Sequence, residues 1–218
     1  MRLKFSGLLL LIVLVPAVLQ AQTPVALALR LGSQGGGAEV AVGLAEKISA
    51  RAGVYGLTYE FSATESDIDY DAELSLFSLS GLVDWHPTGG GPRLTGGLVI
   101  NQNGLDLTSE LAATYEVGGT VYTVEDVGNL LAEVDFNGVA PYLGVGWGRP
   151  AGAGQWTFLV DLGVIMQGSP QIDLSATGPI ASEEEFQANM AREEDELQDE
   201  LDGLSVYPVA SIGLAYRF

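Results

Sequence analysis

The sequence contains no cysteine and a single histidine, His86. Without cysteine the chain can form no disulfide and has no thiolate for catalysis or metal binding. A single histidine leaves only one place in the chain for Ser–His chemistry. Basic residues are also scarce, with nine Lys and Arg against 28 Asp and Glu and a formal net charge of −19. Such a chain repels phosphate groups, which excludes nucleic acid as a partner.

The first 21 residues are typical of a secretory signal peptide. Arg2 and Lys4 form a basic start, and the apolar run of residues 8–15 follows. That run is too short for a spanning helix, which needs roughly 20 apolar residues. We expect cleavage after Ala21, so that residues 22–218 form one mature domain. No later segment is a continuous apolar 18-mer, and no spanning helix is predicted.

Beyond residue 25, apolar residues alternate with small or polar ones, and turn residues interrupt the pattern. The clearest stretches are residues 25–31, 38–44, 55–61, 139–147 and 156–167. The connections alternate between short turns and long loops, and the long ones are residues 62–69, 104–130 and 169–203. Short turns on one rim and long loops on the other are the layout of an outer-membrane barrel. Counting strands back from the C-terminal one gives eight.

The stretch from Tyr70 to His86 is less regular, because its apolar residues change parity near Leu76. A β-bulge near Leu76 would explain the change. Alternatively, the upper part of this strand stands clear of the membrane, where lipid imposes no pattern.

The alternation fits an eight-stranded antiparallel transmembrane β-barrel, but a soluble barrel has the same period with its faces reversed. Aromatic residues at the strand ends favour the membrane, since they suit an interfacial girdle. The girdle residues are Trp85, Trp147, Trp156 and Tyr216. We therefore expect the protein in the bacterial outer membrane, with an interior just wide enough for side chains to fill. The polar candidates for that lumen are Arg30, Glu39, Glu60, Asp84, Asp161 and Arg217.

The stretch YPVASIGLAYRF resembles the C-terminal signature that the barrel-assembly machinery of Gram-negative bacteria reads. The matching positions are Ile212, Leu214, Tyr216 and Phe218. With residues 82–87, 93–107, 140–150 and 168–174, this stretch also resembles a family of small Gram-negative outer-membrane β-barrels, over residues 25–218. The resemblance implies fold and location, and it brings no catalytic residue with it.

His86, in the motif DWHP, has two interpretations. It could act as a general base beside Asp84, or it could be a rim residue that precedes a periplasmic turn and hydrogen-bonds a neighbour. Catalytic groups of outer-membrane enzymes lie on the outer side, and His86 is predicted at the opposite rim, which favours the second interpretation.

The segment DIDYDAE spaces its carboxylates two residues apart, at Asp67, Asp69, Asp71 and Glu73. A calcium-binding EF-hand loop counted from Asp67 would need Gly and Glu where Ala72 and Ser78 stand, so that motif fails. A weak cation site at Asp67, Asp69 and Asp71 stays open. We expect no metal site beyond this and no cofactor.

Residues 182–203 are predicted to form an acidic loop helix. Ser182 and Glu185 have the spacing of a capping box, and Gly203 is a stop signal. The apolar stripe consists of Phe186, Met190, Leu197 and Leu201. The helix could cover the barrel mouth or dock on a partner, or it could only pack on the rim. A shorter helix is predicted within residues 124–131.

The leading functional hypothesis is a non-enzymatic outer-membrane barrel with a structural or surface-interaction role and a lumen largely filled by side chains. The alternative is a narrow channel or binder for small solutes, similar to the outer-membrane protein W family. An enzyme of the outer leaflet is disfavoured by the single histidine. The expected partners are outer-membrane lipid and lipopolysaccharide, with the barrel-assembly machinery during biogenesis, and we expect a monomer.

Overall fold

The computed structural model describes residues 24–65, 68–109 and 114–218. The predicted signal peptide lies outside these residues and stays a prediction. Among the residues described, no helix is long and apolar enough to cross a membrane.

Within these ranges the chain forms thirteen β-strands and two α-helices. The strands are β1 Val25–Gly32, β2 Gly35–Ala45, β3 Ile48–Glu65, β4 Ile68–Trp85, β5 Pro92–Asn101, β6 Gly104–Ser109, β7 Thr114–Val117, β8 Thr120–Thr123, β9 Leu130–Asp135, β10 Val139–Trp147, β11 Trp156–Met166, β12 Gln171–Ala176 and β13 Val206–Arg217. The α-helices are α1 Val124–Val127 and α2 Glu184–Leu201. Two 3₁₀ turns, Pro179–Ser182 and Asp202–Ser205, flank α2.

In the described part of the chain, eight antiparallel strands close into a barrel. Their order around it is β1, β2, β3, β4, β5, β10, β11 and β13. The last strand, β13, pairs with β1 and closes the ring. Closure gives each backbone polar group of the ring a partner on a neighbouring strand, as a hydrocarbon environment requires. The predicted eight-stranded antiparallel barrel is confirmed.

The outer surface of the barrel is apolar. Leu29 is 66% exposed, while its neighbours Ala28 and Arg30 are buried. The same alternation holds along β10 and β11, where large apolar side chains point outward. A soluble barrel buries its apolar face, so the observed orientation is that of a barrel surrounded by lipid. The fold is that of an outer-membrane β-barrel.

Strands β3 and β4 rise beyond the barrel on the long-loop side, which is extracellular in outer-membrane barrels. There β4 pairs with β6, β6 with β9, and β9 with β12. We call the five strands β3, β4, β6, β9 and β12 on this side the extracellular sheet. The segments 62–69, 104–130 and 169–203, predicted as long loops, therefore contain strands.

The β-bulge predicted near Leu76 is absent. Strands β3 and β4 pair without a shift from Ile48 opposite Trp85 to Glu65 opposite Ile68. The alternative interpretation of the irregular pattern is the correct one, because the change of pattern coincides with the part of β4 that leaves the barrel.

The remaining extracellular elements pack together beside the sheet. Hairpin β7–β8, helix α1 and helix α2 share a core, whose buried members are Tyr115, Val117, Val127, Phe186 and Met190. Helix α2 begins at Glu184, so Ser182 belongs to the preceding 3₁₀ turn and is not its cap. Two residues of the predicted apolar stripe, Phe186 and Met190, are buried in this core. We call these packed elements the loop subdomain.

Candidate functional site: the charged lumen and the extracellular sheet

Six charged side chains meet inside the barrel, and together they form what we call the charged layer. Its members are Arg30, Glu39, Arg51, Asp84, Arg93 and Asp161, contributed by β1, β2, β3, β4, β5 and β11. Each of these residues is at most 5% exposed. Three guanidinium groups face three carboxylates, so the layer carries no formal net charge.

Arg51 is the centre of the charged layer. Its Nε and Nη2 donate to the two carboxylate oxygens of Asp84 at 2.7 and 3.0 Å. Its Nη1 donates to Glu39 at 2.9 Å, and Nη2 also reaches Asp161 at 3.3 Å. The planar guanidinium group thus contacts all three carboxylates, a geometry that the point charge of lysine could not reproduce.

Arg30 and Arg93 complete the layer from opposite sides. The Nε of Arg30 donates to Glu39 at 2.8 Å, and its Nη1 donates to Asp161. Arg93 donates to Asp161 at 2.6 Å and lies 3.6 Å from Asp84. Arg93 also donates to the backbone carbonyl of Gly148. Asp161 is therefore shared by three arginines on three strands.

Neutral side chains satisfy the remaining acceptors of the layer. The hydroxyl of Thr95 donates to Asp84 at 2.7 Å, and the hydroxyl of Tyr55 donates to Glu39. Buried charges persist only when they are paired and hydrogen-bonded, because desolvation otherwise costs several kcal/mol per ion. Each carboxylate of the layer has at least two arginine partners, which meets that requirement.

Inward-facing glycines make room for these long side chains. A Cβ added at Gly213 would lie 2.5 Å from the Cδ of Arg30, and one added at Gly146 would lie 3.0 Å from the Nε of Arg93. Gly146 on β10 and Gly213 on β13 thus leave room for the arginine side chains of the neighbouring strands.

Apolar side chains lie inside the barrel on both sides of the charged layer. On the extracellular side lies a buried cluster of Leu82, Val99, Ala140, Tyr142, Ile165 and Val209. On the periplasmic side lies a smaller cluster of Ala28, Leu159 and Ala215. The cavity between the charged layer and the first cluster measures about 10 Å³. That volume holds about one water molecule and no solute.

Four of the six polar residues predicted for the lumen lie in the charged layer: Arg30, Glu39, Asp84 and Asp161. Glu60 does not, because it stands above the barrel and is exposed on the extracellular sheet. Arg217 lies at the periplasmic end and donates to the carbonyl of Ala153 at 2.9 Å.

Sequence reasoning missed Arg51 and Arg93, the remaining two members of the charged layer. The available signal was their charge, since a charged side chain in a spanning strand is costly on the lipid face. In the structure Arg51 shares its strand face with the buried Tyr55. The alternation of residues 55–61 groups Tyr55 with Leu57 and Tyr59, and this grouping predicts that Tyr55 faces outward. The structure places Tyr55 inside, and Leu57 and Tyr59 above the barrel, where both are exposed.

His86 is buried in the turn after β4. One ring nitrogen, Nε2, lies 3.2 Å from the hydroxyl of Ser49, and Nδ1 lies 3.2 Å from the carbonyl of Gly90. That carbonyl can only accept, so Nδ1 carries the proton and Nε2 accepts from Ser49. Burial lowers the pKa of His86, against the opposing effect of the nearby Asp84 carboxylate. Ser49 is fully buried as well, so neither member of this Ser–His pair is exposed to solvent.

The predicted girdle and assembly residues lie on the outer surface, and the girdle residues and Phe218 lie near the short-turn rim. Trp85, Trp147 and Trp156 are each at least 50% exposed. The rings of Trp156 and Tyr216 meet edge to face at 4.9 Å, and those of Tyr216 and Phe218 at 5.2 Å. Ile212 and Leu214 point outward on the same strand. Recognition of these four C-terminal residues by assembly machinery stays a prediction.

Five carboxylates form a straight row across the extracellular sheet, one on each strand. The directly opposed pairs are Glu60 with Glu73, Glu73 with Asp106, Asp106 with Glu133, and Glu133 with Asp173. We call these residues the acidic row. Like charges directly opposite each other destabilise a sheet. The acidic row therefore lowers the stability of the extracellular sheet, and packing gives no reason for its presence.

The acidic row lines a groove of about 820 Å³ on the extracellular sheet. The residues that line the groove include no lysine, arginine or histidine. In the described residues, no three carboxylate or histidine side chains cluster closely enough to hold a metal ion. Of the segment considered for cation binding, Asp67 and the side chain of Asp69 lie outside the described part. Asp71 is exposed, and it accepts a hydrogen bond from Ser62 at 3.4 Å.

The structure is similar to the crystal structures of two Acinetobacter baumannii proteins. CarO2 superposes with a TM-score of 0.60 and 18% sequence identity, over 91% of this chain and 100% of that one. CarO superposes with a TM-score of 0.57 and 21% identity, over 89% of this chain and 98% of that one. No protein-family model and no curated protein matches the sequence. Both neighbours are outer-membrane β-barrel proteins. At 18% and 21% sequence identity, the similarity shows a shared fold and nothing more.

Proposed function

We propose that this protein is a closed, non-enzymatic outer-membrane barrel whose function is carried out by its extracellular sheet. The charged layer is the observation on which the proposal rests. Six side chains from six strands meet inside the barrel, and the adjoining cavity of about 10 Å³ is too small for a solute. A pore needs a continuous aqueous path, and the interior of an eight-stranded barrel is narrow enough for its own side chains to fill.

The size of the extracellular part supports a surface role for the protein. Three strands, β6, β9 and β12, extend the sheet beyond the barrel, and the loop subdomain packs against it through α2 and β12. A barrel that acted only as a membrane anchor would need none of these elements. The groove lined by the acidic row is a concave surface on this side, and ligand sites are usually concave.

The buried Ser49–His86 pair supports the non-enzymatic part of the proposal. His86 is the only histidine of the chain, and both of its ring nitrogens have partners. A general base must reach the proton of a substrate or of a bound water. In this position the pair instead ties the start of β3 to the turn after β4.

The proposal includes the environment expected from the sequence. The apolar outer band would contact membrane lipid, and the acidic extracellular surface would lie among lipopolysaccharide headgroups bridged by divalent ions. The assembly machinery would act on β13 during biogenesis. We propose a monomer, since the acidic surfaces of two copies would repel each other.

Solute uptake into proteoliposomes tests the closed lumen. The mature protein would be refolded into vesicles, and swelling would be followed with sugars and amino acids of increasing size. We expect swelling rates equal to those of protein-free vesicles, with a general porin as the positive control. Swelling that depends on solute size would instead support the narrow channel that the sequence left open as the alternative.

A further inference from the structure

The two edges of the extracellular sheet are protected to very different degrees. Strand β12 forms one edge and lies against α2. The backbone N–H of Leu174 in this strand donates to the carboxylate of Glu194 on α2 at 2.7 Å. Covering an edge strand with a helix is a standard protection against pairing with another chain. The β12 edge is therefore closed.

The other edge, formed by the upper part of β3, is open. Strand β2 pairs with β3 only as far as Gly36 opposite Gly56. Within the described ranges, no strand pairs with β3 on that side beyond Gly56. Every residue from Gly56 to Ser62 is exposed, although β3 alternates between buried and exposed residues lower down. We call residues 57–62 the open edge.

Apart from the charge of Glu60, the open edge lacks the usual protections of an exposed strand. Its sequence, LTYEFS, contains no lysine, no proline and no glycine, and its pairing with β4 shows no bulge. One face carries Leu57, Tyr59 and Phe61, whose two rings stack with centroids 5.8 Å apart. Exposed aromatic residues beside unpaired backbone groups are typical of edges that accept another strand.

The charge pattern indicates which strand would fit. Glu60 lies on the open edge and is the first member of the acidic row. A strand added beside β3 would place a side chain roughly 4.8 Å from Glu60, at the next position of that row. A basic residue there would face Glu60 and offset the repulsion within the row. Its apolar neighbours would lie on the face of Leu57, Tyr59 and Phe61.

We propose that the open edge binds an extended peptide segment of a partner protein, in which basic and apolar residues alternate, by adding it as a sixth strand of the extracellular sheet. This inference rests on the proposed surface role and names the class of partner. A second copy of the chain does not fit, because it would bring another acidic edge toward Glu60.

The test is binding of a labelled heptapeptide of alternating lysine and valine to the full mature protein in detergent, followed by fluorescence polarisation at physiological salt. A second peptide has the same sequence with alternate backbone nitrogens methylated, which keeps the charge and removes the strand-pairing donors. We expect the methylated peptide to bind at least about tenfold more weakly, because strand addition depends on main-chain hydrogen bonds.

Two charge reversals form a matched pair of variants. Glu60→Lys changes the row at the open edge, and Asp173→Lys changes it at the closed edge, four strands or roughly 19 Å away. Charges further apart than about 8 Å are largely screened at this salt concentration. We expect Glu60→Lys to weaken binding at least about fivefold and Asp173→Lys less than about twofold.

Equal losses for the two variants, or equal binding of the two peptides, would show general attraction to an acidic surface and overturn strand addition. Absence of binding by any peptide would overturn it as well. The swelling assay on the same preparation keeps the two proposals separate. Peptide binding can fail while the lumen stays closed, and a permeable lumen would refute the closed barrel whatever the peptide does.

Discussion

Arg51 on β3 and Asp84 on β4 form a bidentate ion pair in the middle of the barrel, with N–O distances of 2.7 and 3.0 Å. Both side chains are almost completely buried. The pair joins neighbouring strands, and through Glu39 and Asp161 it connects to the rest of the charged layer. The stability of the barrel and, under our proposal, the closure of its lumen therefore depend on the same side chains.

Replacing Arg51 with methionine is expected to destabilise the barrel strongly. The change leaves Asp84 without its bidentate partner. It also removes one of the three arginines that balance the three carboxylates of the charged layer. Breaking a buried ion pair from one side costs about 3–5 kcal/mol. Urea unfolding of the protein in lipid vesicles measures the difference. Arg217→Met is the control, since Arg217 lies outside the charged layer, and its unfolding midpoint should match that of the unaltered protein. Equal midpoints for the two variants would contradict the role given to Arg51.

Alanine at Gly213 should destabilise the barrel, whereas alanine at Gly81 should not. A Cβ at Gly213 would lie 2.5 Å from the Cδ of Arg30 and 2.6 Å from the carbonyl oxygen of Leu29. Overpacking of this kind costs about 1–3 kcal/mol. Gly81 faces outward, and nothing lies within 4 Å of its added Cβ. The temperature at which each variant loses its heat-modifiable gel migration provides the measurement, and a Gly213→Ala variant as stable as Gly81→Ala would contradict the packing described.

The stability of the protein should fall as the pH drops below about 6.5, the ordinary pKa of histidine. Burial lowers the pKa of His86 in the folded state, so the unfolded chain binds the proton more readily. Stability is then fully present above the unfolded pKa, and it is lost as the pH falls toward the folded pKa. Unfolding midpoints measured from pH 7.5 to 5.0 should decline, and the decline should be smaller in a His86→Gln variant. Identical pH profiles for the two proteins would rule out this contribution.

Phe186→Ala should disrupt the loop subdomain and leave the barrel intact. Phe186 is buried and meets the ring of Tyr122 edge to face at 5.0 Å. Deleting a buried phenylalanine ring costs about 3–5 kcal/mol, which is large for so small a core. Limited proteolysis should cleave the variant within the loop subdomain, while the barrel keeps its heat-modifiable migration. Glu196→Ala, at an exposed position on the same helix, is the control. Loss of the barrel in Phe186→Ala would mean that the two parts fold as one unit.

The barrel was predictable because lipid dictates the outward face of every spanning strand. Along β11, for example, Trp156, Phe158 and Leu162 alternate with Leu159 and Asp161, and this alternation is independent of any long-range contact. The number of strands followed from the order of turns and loops. These features are local in sequence, and period-two patterns record them directly.

The charged layer was only partly predictable, because ion pairs across a lumen depend on strand tilt and register. Arg51 lies 110 residues from Asp161 in sequence, yet the two side chains are 3.3 Å apart. The extracellular sheet was missed for a different reason. Its strands β6 and β12 have only six residues each and lie within long connections. The brief alternation of Leu105 and Leu107 with Asp106, or of Ile172 and Leu174 with Asp173, is therefore too short to separate these strands from loops.

Single-channel recording in planar bilayers tests the central claim, the closed lumen, most directly. The refolded mature protein would be added at 1 M salt in about tenfold steps of concentration, after heat-modifiable migration has shown that it is folded. The charged layer and the cavity of about 10 Å³ beside it predict a silent bilayer at every concentration. Discrete, reproducible conductance steps from the folded protein would contradict the closed barrel and show that ions pass the layer formed by Arg30, Arg51 and Arg93.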